Sequence, residues 1–329
     1  MKIPMLNRIL SRQTHRVKLI FNPSSGMAFE SGPRLLEVIQ ALQAQDFLPE
    51  IHILEPGGDL RRVVRDAIRR GIRLVAACGG DGTIDSVARM VAGTPAALGV
   101  IPAGTQNNVA FSLGIPGNIP DAVAVLRRGR RIKVDMGLAV CGEQKRLFLE
   151  ACSVGLFSAL FPSADQIQHG NLAGLGDFFA TLVSSQPAAF SLALEGEAEE
   201  TVQGHVALVS NTPFIGPRYQ VGPGNACQDG VLDVVLFANL NLFELMGYAV
   251  KVAGDAVKVA GGAVKVAGGA VQVAGGAVED PRIRHFHVRS LEIVTDPPMP
   301  VVVDGFSLGQ SPLRIQIKRR ALAVMAPRE

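Results

Sequence analysis

The chain has 329 residues, 48% of them apolar, and a formal net charge of +3 from 32 basic and 29 acidic side chains. That length and apolar fraction suit a two-domain globular protein and exclude a disordered chain. The near balance of charge, the absence of Trp and the presence of only 2 Tyr argue against nucleic acid as a partner.

The segment Met1 to Lys18 is polar and basic and does not read as a secretory signal. No clean apolar stretch of about 20 residues follows, so no spanning helix is expected. Four scattered cysteines, Cys78, Cys141, Cys152 and Cys227, form no CxxC pair. They predict reduced thiols in a cytoplasmic protein rather than a disulfide framework or a zinc site.

From Val17 to about Val134 strands and helices alternate. Val17–Phe21 reads as a strand ending in Asn22-Pro23-Ser24-Ser25-Gly26. Leu35, Leu36, Val38, Ile39 and Leu42 then recur at helical spacing. Ile51–Leu54 reads as a second strand, and Leu60, Val63, Val64, Ala67 and Ile68 form one face of a second helix. Leu74–Ala77 runs into Gly79-Gly80-Asp81-Gly82-Thr83, and Leu98–Ile101 runs into Gly104-Thr105-Gln106-Asn107-Asn108. Each run reads as a buried strand opening through glycine into a helix. Such alternation predicts a parallel sheet covered on both faces, with ligands at the carboxyl ends of its strands.

Three glycine-bearing turns fall at those ends. Glycine lets a backbone approach a ligand closely, and the N–H groups at a helix start point at anions. Together they predict a site for the phosphates of ATP or a relative. Asp81 adds a carboxylate that could hold magnesium directly or through water. The plainer alternative is an ordinary strand–helix turn with Asp81 as its cap.

After Asp135 the texture becomes β. Arg146–Val154, Ala189–Leu194, His205–Ser210, Val231–Phe237, His285–Val294, Val301–Val303 and Leu313–Ile317 read as strands, separated by turn signals such as Pro297-Pro298 and Asp304-Gly305. A domain boundary is expected near Lys133–Asp135. Residues 251–278 repeat a seven-residue unit, KVAGDAV, KVAGGAV, KVAGGAV, QVAGGAV. An odd period cannot keep one face as a strand. As a helix it sorts its valines and alanines to one arc and Lys251, Lys258, Lys265 and Gln272 to the other, with Asn241 and Glu244 able to cap the start. Its glycines weaken it by roughly 1 kcal/mol each, so it needs a surface to lie on, the β domain or a bilayer.

Asn22-Pro23-x-Ser25-Gly26, Gly79–Thr83 and Ile101-Pro102-Ala103-Gly104-Thr105-x-Asn107 together resemble the diacylglycerol kinase catalytic family, which includes bacterial lipid kinases and the sphingosine kinases. Leu113-Gly114-Ile115-Pro116, Val134-Asp135-x-Gly137, Phe148–Gly155 and Asp229-Gly230-Val231-Leu232-Asp233 continue the likeness over nearly the whole chain. NAD kinases share Gly-Gly-Asp-Gly, but the Pro-Ala-Gly-Thr and Asp-Gly-x-Leu-Asp runs favour the lipid branch.

The resemblance implies an α/β plus β fold. An N-terminal parallel-sheet nucleotide-binding domain, residues 1–134, is completed by 313–329. A mostly antiparallel β-sandwich domain, residues 135–312, binds lipid. It implies transfer of the γ-phosphate of ATP to a lipid hydroxyl, with ATP held by Asn22, Pro23, Ser24, Ser25, Gly26, Gly79, Gly80, Asp81, Gly82, Thr83, Gly104, Thr105, Asn107 and Asn108. Asp81, Asp135 and Asp304 are the carboxylates it brings to catalysis, and Asp229 matches a structural magnesium ligand of some bacterial members. A simple β-turn, with Asp229 bonded to its own backbone, is the alternative at that position.

The sequence departs from the family at Phe306, which stands where Asp-Gly-Glu supplies a general base. Losing such a base costs about 10²–10⁴ in rate. Asn108 stands where many relatives carry Asp, and Leu54 where a Thr often contacts nucleotide. Two function classes therefore compete: an active lipid kinase, or a catalytically impaired member that binds nucleotide or lipid. An NAD-kinase-like enzyme is the weaker third reading.

Two basic clusters, Arg61/Arg62/Arg65/Arg69/Arg70 and Arg127/Arg128/Arg130/Arg131/Lys133, read either as solvated faces or as attraction to an anionic membrane at its cytoplasmic side. His285-x-His287 reads as structural rather than metal-binding. A homodimer is admitted by the sequence without being specified by it.

Overall fold

The computed structural model describes residues 14–26, 31–155, 187–194, 200–215, 219–220, 226–240, 244 and 282–328. The chain forms two units, Met1–Lys133 with Ala321–Glu329, and Val134–Arg320. The heptad repeat and the helix start expected at Asn241 lie outside the described residues.

The first unit alternates strand and helix: β1 (His15–Phe21), α1 (Ser31–Ala44), β2 (Phe47–Ile53), α2 (Leu60–Arg69), β3 (Leu74–Gly79), α3 (Asp81–Val91), β4 (Ala97–Pro102), α4 (Asn108–Ser112) and α5 (Ile119–Arg128). The strands lie in the order β2-β1-β3-β4, every pair parallel. The end of the C-terminal strand adds to β4, also in parallel, with Val324 opposite Leu98. β3 and β4 are buried along nearly their whole length because their residues are apolar on both faces, as a sheet covered on two sides requires. Val38 and Leu42 of α1 and Val123 and Leu126 of α5 pack on one face, against Val17, Leu19, Phe21, Ala76, Cys78 and Ile101. Leu36, expected on the buried face of α1, points outward and is 56% exposed.

Local signals set the helix starts. Asp59 accepts the Arg62 amide at 2.9 Å before α2, and Asn118 accepts the Asp121 amide at 2.9 Å before α5. α3 begins differently. Its first flanking residue is Gly80, which has no side chain to cap the helix.

The second unit is antiparallel β. Its strands are β5 (Arg130–Cys141), β6 (Gln144–Phe148), β7 (Ala151–Gly155), β8 (Ala188–Leu194), β9 (Glu200–Ser210), β10 (Phe214–Ile215), β11 (Tyr219–Gln220), β12 (Leu232–Ala238), β13 (Ile283–Val288), β14 (Ser290–Asp296), β15 (Pro300–Val303), β16 (Phe306–Gln310) and β17 (Leu313–Ala326). The chain passes between units inside β5 and inside β17. Within the unit the path runs β16-β15-β7-β9-β8-β14-β17, while β12 joins β9 to β13 and β6 pairs with β5. Phe148, Phe190, Val209, Val234, Ile293, Val301 and Leu313 belong to its core.

Two strands expected as continuous are broken. Arg146–Val154 is split into β6 and β7 at Leu149–Glu150, whose amides turn to the Asp304 carboxylate instead of a neighbouring strand. His285–Val294 is split at Arg289, whose carbonyl accepts the Ile317 amide at 2.8 Å. Both breaks depend on partners remote in sequence. The expected α/β half followed by an antiparallel β half holds.

Candidate active site

The three glycine turns of the first unit are hydrogen-bonded into one structure at the carboxyl ends of β1, β3 and β4. After β1, Asn22 donates its backbone N–H to the Cys78 carbonyl at 3.0 Å and its side-chain amide to Thr83 Oγ1 at 2.8 Å. Its Oδ1 accepts the Ser24 amide at 3.0 Å. Ser25 Oγ accepts the Gly80 amide at 3.2 Å, and Arg34 donates to the Ser25 carbonyl. The first turn is thereby tied to the second.

The second turn is tied to the third as closely. A Cβ added at Gly104 would lie 2.5 Å from the Gly80 Cα, so two backbones meet where no side chain fits. Gly104 donates to Asn107 Oδ1 at 2.9 Å, and Asn107 Nδ2 returns a bond to the Gly104 carbonyl at 2.7 Å. Asn107 holds a left-handed backbone, φ 54°, which Asn tolerates. Asp81 Oδ1 accepts the Val109 amide at 3.1 Å, so its carboxylate also steadies the start of α4. Asn108 is buried, with its Nδ2 3.5 Å from Gln106 Oε1.

This arrangement suits a phosphate chain. The amino end of α3 has no side-chain cap, Gly82 in its first turn is exposed, and the close approach of Gly80 and Gly104 draws the second and third turns together. Helix-end N–H groups and the helix dipole both favour an anion there. Cys78 lies beneath the turns with its thiol pushed up to about 12 by burial, so it offers no thiolate at neutral pH.

Among the described residues no group of three or more His, Cys, Asp or Glu side chains is arranged to hold a metal alone. A magnesium bound chiefly by phosphate oxygens and water needs only one or two carboxylates, and Asp81 at the mouth of the turns fits that more modest demand. Pro23, Ser24, Gly26 and Thr105 belong to the same turns; Gly26 has φ 71°.

The second unit holds the other carboxylates singled out in the sequence, and each is engaged with backbone. Asp135 is 2% exposed; its Oδ2 accepts the Gly230 amide at 2.9 Å and its Oδ1 the Arg320 amide at 2.5 Å. Asp229 accepts the Val231 amide at 3.1 Å, the bond expected of the simple turn, and burial raises its pKa. Asp304 accepts three amides, from Leu149 at 2.9 Å, Glu150 at 3.2 Å and Ala151 at 2.8 Å. Phe306 is 46% exposed, with the Arg146 guanidinium 4.0 Å from its ring centre.

Three sets of contacts could not be read from the sequence. Asn211, fully buried, donates to the carbonyls of Asp135 at 3.0 Å and Leu149 at 2.8 Å. Arg146 stacks on Phe306, with no sequence signal to announce it. Asp233 is 3% exposed with its pKa raised to about 6 by burial, and lies 3.1 Å from His287 Nε2. The alternation that puts His285 and His287 on one face of β13 was visible, but not the carboxylate opposite His287 on β12.

Residues 16–139 match the family model of the diacylglycerol kinase catalytic domain. A diacylglycerol kinase of Bacillus subtilis (strain 168) is 29% identical over 242 residues, 71% of this chain and 77% of its own length. The crystal structure of a diacylglycerol kinase from Bacillus anthracis str. Sterne superposes with a TM-score of 0.68 at 20% identity, over 95% of this chain and 97% of that one. An NAD kinase from Archaeoglobus fulgidus, solved in complex with ATP, superposes with a TM-score of 0.51 at 10% identity, over 94% and 93% of the two chains. The two structural likenesses carry the fold. No helix among the described residues is long and apolar enough to cross a membrane.

Proposed function

The chain belongs, through residues 16–139, to the diacylglycerol kinase catalytic family, and on that premise we propose that it transfers the γ-phosphoryl group of ATP to the hydroxyl of a lipid such as diacylglycerol. The observation that carries this reading is the convergence of three glycine turns, hydrogen-bonded to one another, beside a helix start with no side-chain cap. Phosphoryl transfer depends on alignment and charge stabilisation more than on covalent help. In this reading the start of α3 and its helix dipole hold the phosphates, the hydrogen bonds within the turns fix that start in place, and Asp81 both steadies α4 and faces the accompanying magnesium. Asp135 and Asp304 act as positioning residues, because backbone amides occupy both oxygens of each carboxylate. Asp229 in its turn is the candidate for a structural magnesium. The reaction would take place at an anionic membrane surface, with the exposed arginines of α2 attracting headgroups at about 1 kcal/mol each near the surface.

A second reading is favoured by one feature, the apolar ring of Phe306 beneath the Arg146 guanidinium. A phenyl ring accepts no proton, so the chain would bind nucleotide or lipid with little turnover. One experiment addresses both readings: labelled ATP, magnesium and diacylglycerol in mixed micelles, with the wild type, Asp81→Ala and Phe306→Glu. Labelled lipid from the wild type above the Asp81→Ala level supports the kinase. Labelled lipid from Phe306→Glu alone supports the impaired member. Absence of label from both, with no heat on titrating magnesium–ATP, rejects the nucleotide assignment.

A further inference from the structure

A parallel sheet has two ends, and the glycine turns occupy only one of them. At the opposite end of the first unit, where β1, β3 and β4 begin, lies a cavity of about 490 Å³. That size lies within the range of small-ligand sites. It is bordered by His15 and Arg16 at the start of β1, Arg73 before β3, Arg127 at the end of α5 and Arg131 in β5, with Met325 on its apolar side. Among the described residues no carboxylate borders it.

The four arginines differ in what they already satisfy. Arg16 is neutralised by Glu50, which Arg70 shares at 2.7 Å. Arg131 donates to the carbonyls of Pro95 at 2.9 Å and Ala96 at 3.3 Å, and Arg73 reaches the Ile68 carbonyl at 3.4 Å. These bonds to neutral carbonyls orient the guanidinium groups without cancelling their charge. A guanidinium has five N–H donors, and each of these two uses a single nitrogen in the bonds above. Arg127 closes the last turn of α5, where the helix dipole favours a cation. That favour explains one charge. It does not explain three, brought from three different elements to one concavity that no acid among the described residues borders.

His15 also borders the cavity. Its Nε2 is withdrawn from solvent and has no hydrogen-bond partner among the described residues, while its ring packs edge-on against Phe47 at 6.1 Å. Polar atoms shielded from water ordinarily find a partner.

We propose that this cavity is a second anion site, built for a phosphate group, presented either by a soluble phosphate ester or by an anionic lipid headgroup. Planar guanidinium groups match phosphate oxygens two at a time, which distinguishes them from a diffuse basic surface. The site stands apart from the glycine turns and does not rest on the kinase reading.

The test titrates inorganic phosphate, glycerol 3-phosphate, and phosphatidylcholine vesicles with and without phosphatidic acid into the full chain. The proteins are the wild type, Arg73→Gln/Arg127→Gln and Gly104→Ala, the last disturbing only the glycine turns. Arg127→Glu, at an exposed position, keeps the test decisive if the double variant fails to fold. Binding that survives Gly104→Ala and weakens at least tenfold in the arginine variants supports the site. Response to the soluble phosphates identifies a phosphate ester, and response only to phosphatidic acid identifies a headgroup; either outcome supports the proposal. Equal binding by the wild type and the arginine variants overturns it, as does a lack of binding by every probe up to about 10 mM phosphate, a weaker interaction than millimolar affinity.

Discussion

At the scale of single residues, the site is decided by what is missing. Gly104 and Gly80 meet backbone to backbone, and the built Cβ distance of 2.5 Å at Gly104 is shorter than carbon atoms tolerate. Gly104→Ala must therefore push the second and third turns apart. We expect a loss of about 1–3 kcal/mol in stability and a fall of at least tenfold in ATP affinity, read by urea denaturation and calorimetry. Unchanged ATP binding would show that the close approach is incidental.

Asp233 gives a prediction of a different kind. Burial raises its pKa from 3.8 to about 6, and the nearby His287 opposes part of that rise. The folded state thus holds a proton that the unfolded chain has already released. Stability is greatest with Asp233 protonated and falls as pH rises from 3.8 to about 6. Asp233→Asn should remove that component of the slope and raise stability relative to the wild type above pH 6. Urea midpoints measured across the window check it, and parallel profiles for the two proteins would refute it.

At the scale of elements, the β15–β16 hairpin shows how a turn can organise a distant strand. Asp304 and Gly305 both have positive φ, 44° and 77°, the pattern that suits a tight hairpin and that Asp-Gly sequences favour. Holding that turn places the Asp304 carboxylate on three amides at the break between β6 and β7. Removing it with Asp304→Ala leaves those amides without their charged acceptor. The expected cost is about 3 kcal/mol, measured by chemical denaturation, with Asp304→Asn recovering part of it through its single carbonyl oxygen. A loss below ~0.5 kcal/mol, the size of an ordinary surface change, would mean that water replaces the carboxylate readily. α3 illustrates the opposite economy. A helix start with no side-chain cap stays open to a ligand, whereas Asp59 and Asn118 close the starts of α2 and α5.

At the scale of the whole molecule, the first unit is not contiguous in sequence. Leu322, Ala323 and Val324 are buried, and Val324 pairs with Leu98 beside β4. A chain ending at Arg320 would bare the edge of β4 and lose that buried apolar surface. Limited proteolysis should cut such a truncation within the first unit under conditions that spare the full chain. Equal resistance would show that the last strand is dispensable.

Much of this organisation was legible in the residues themselves. Apolar runs ending in glycine announced β1, β3 and β4 and the turns after them, because strand burial and left-handed or closely approached backbone each demand particular residue types. The families of strands in the second half were equally visible in their alternation. What could not be read were pairings between distant residues. Whether Asp135 and Asp304 present free carboxylates or are bound to amides depends on Gly230, Arg320 and Leu149–Ala151 arriving beside them. The breaks within Arg146–Val154 and His285–Val294 have the same origin. Sequence by itself determined which segments are strands and which of them open through glycine into a helix, since these follow from local sterics and side-chain chemistry. Only the tertiary structure decided which carboxylates are occupied, which histidine faces an acid and where arginines from separate elements converge, because each is a contact closed over tens of residues that no local pattern encodes.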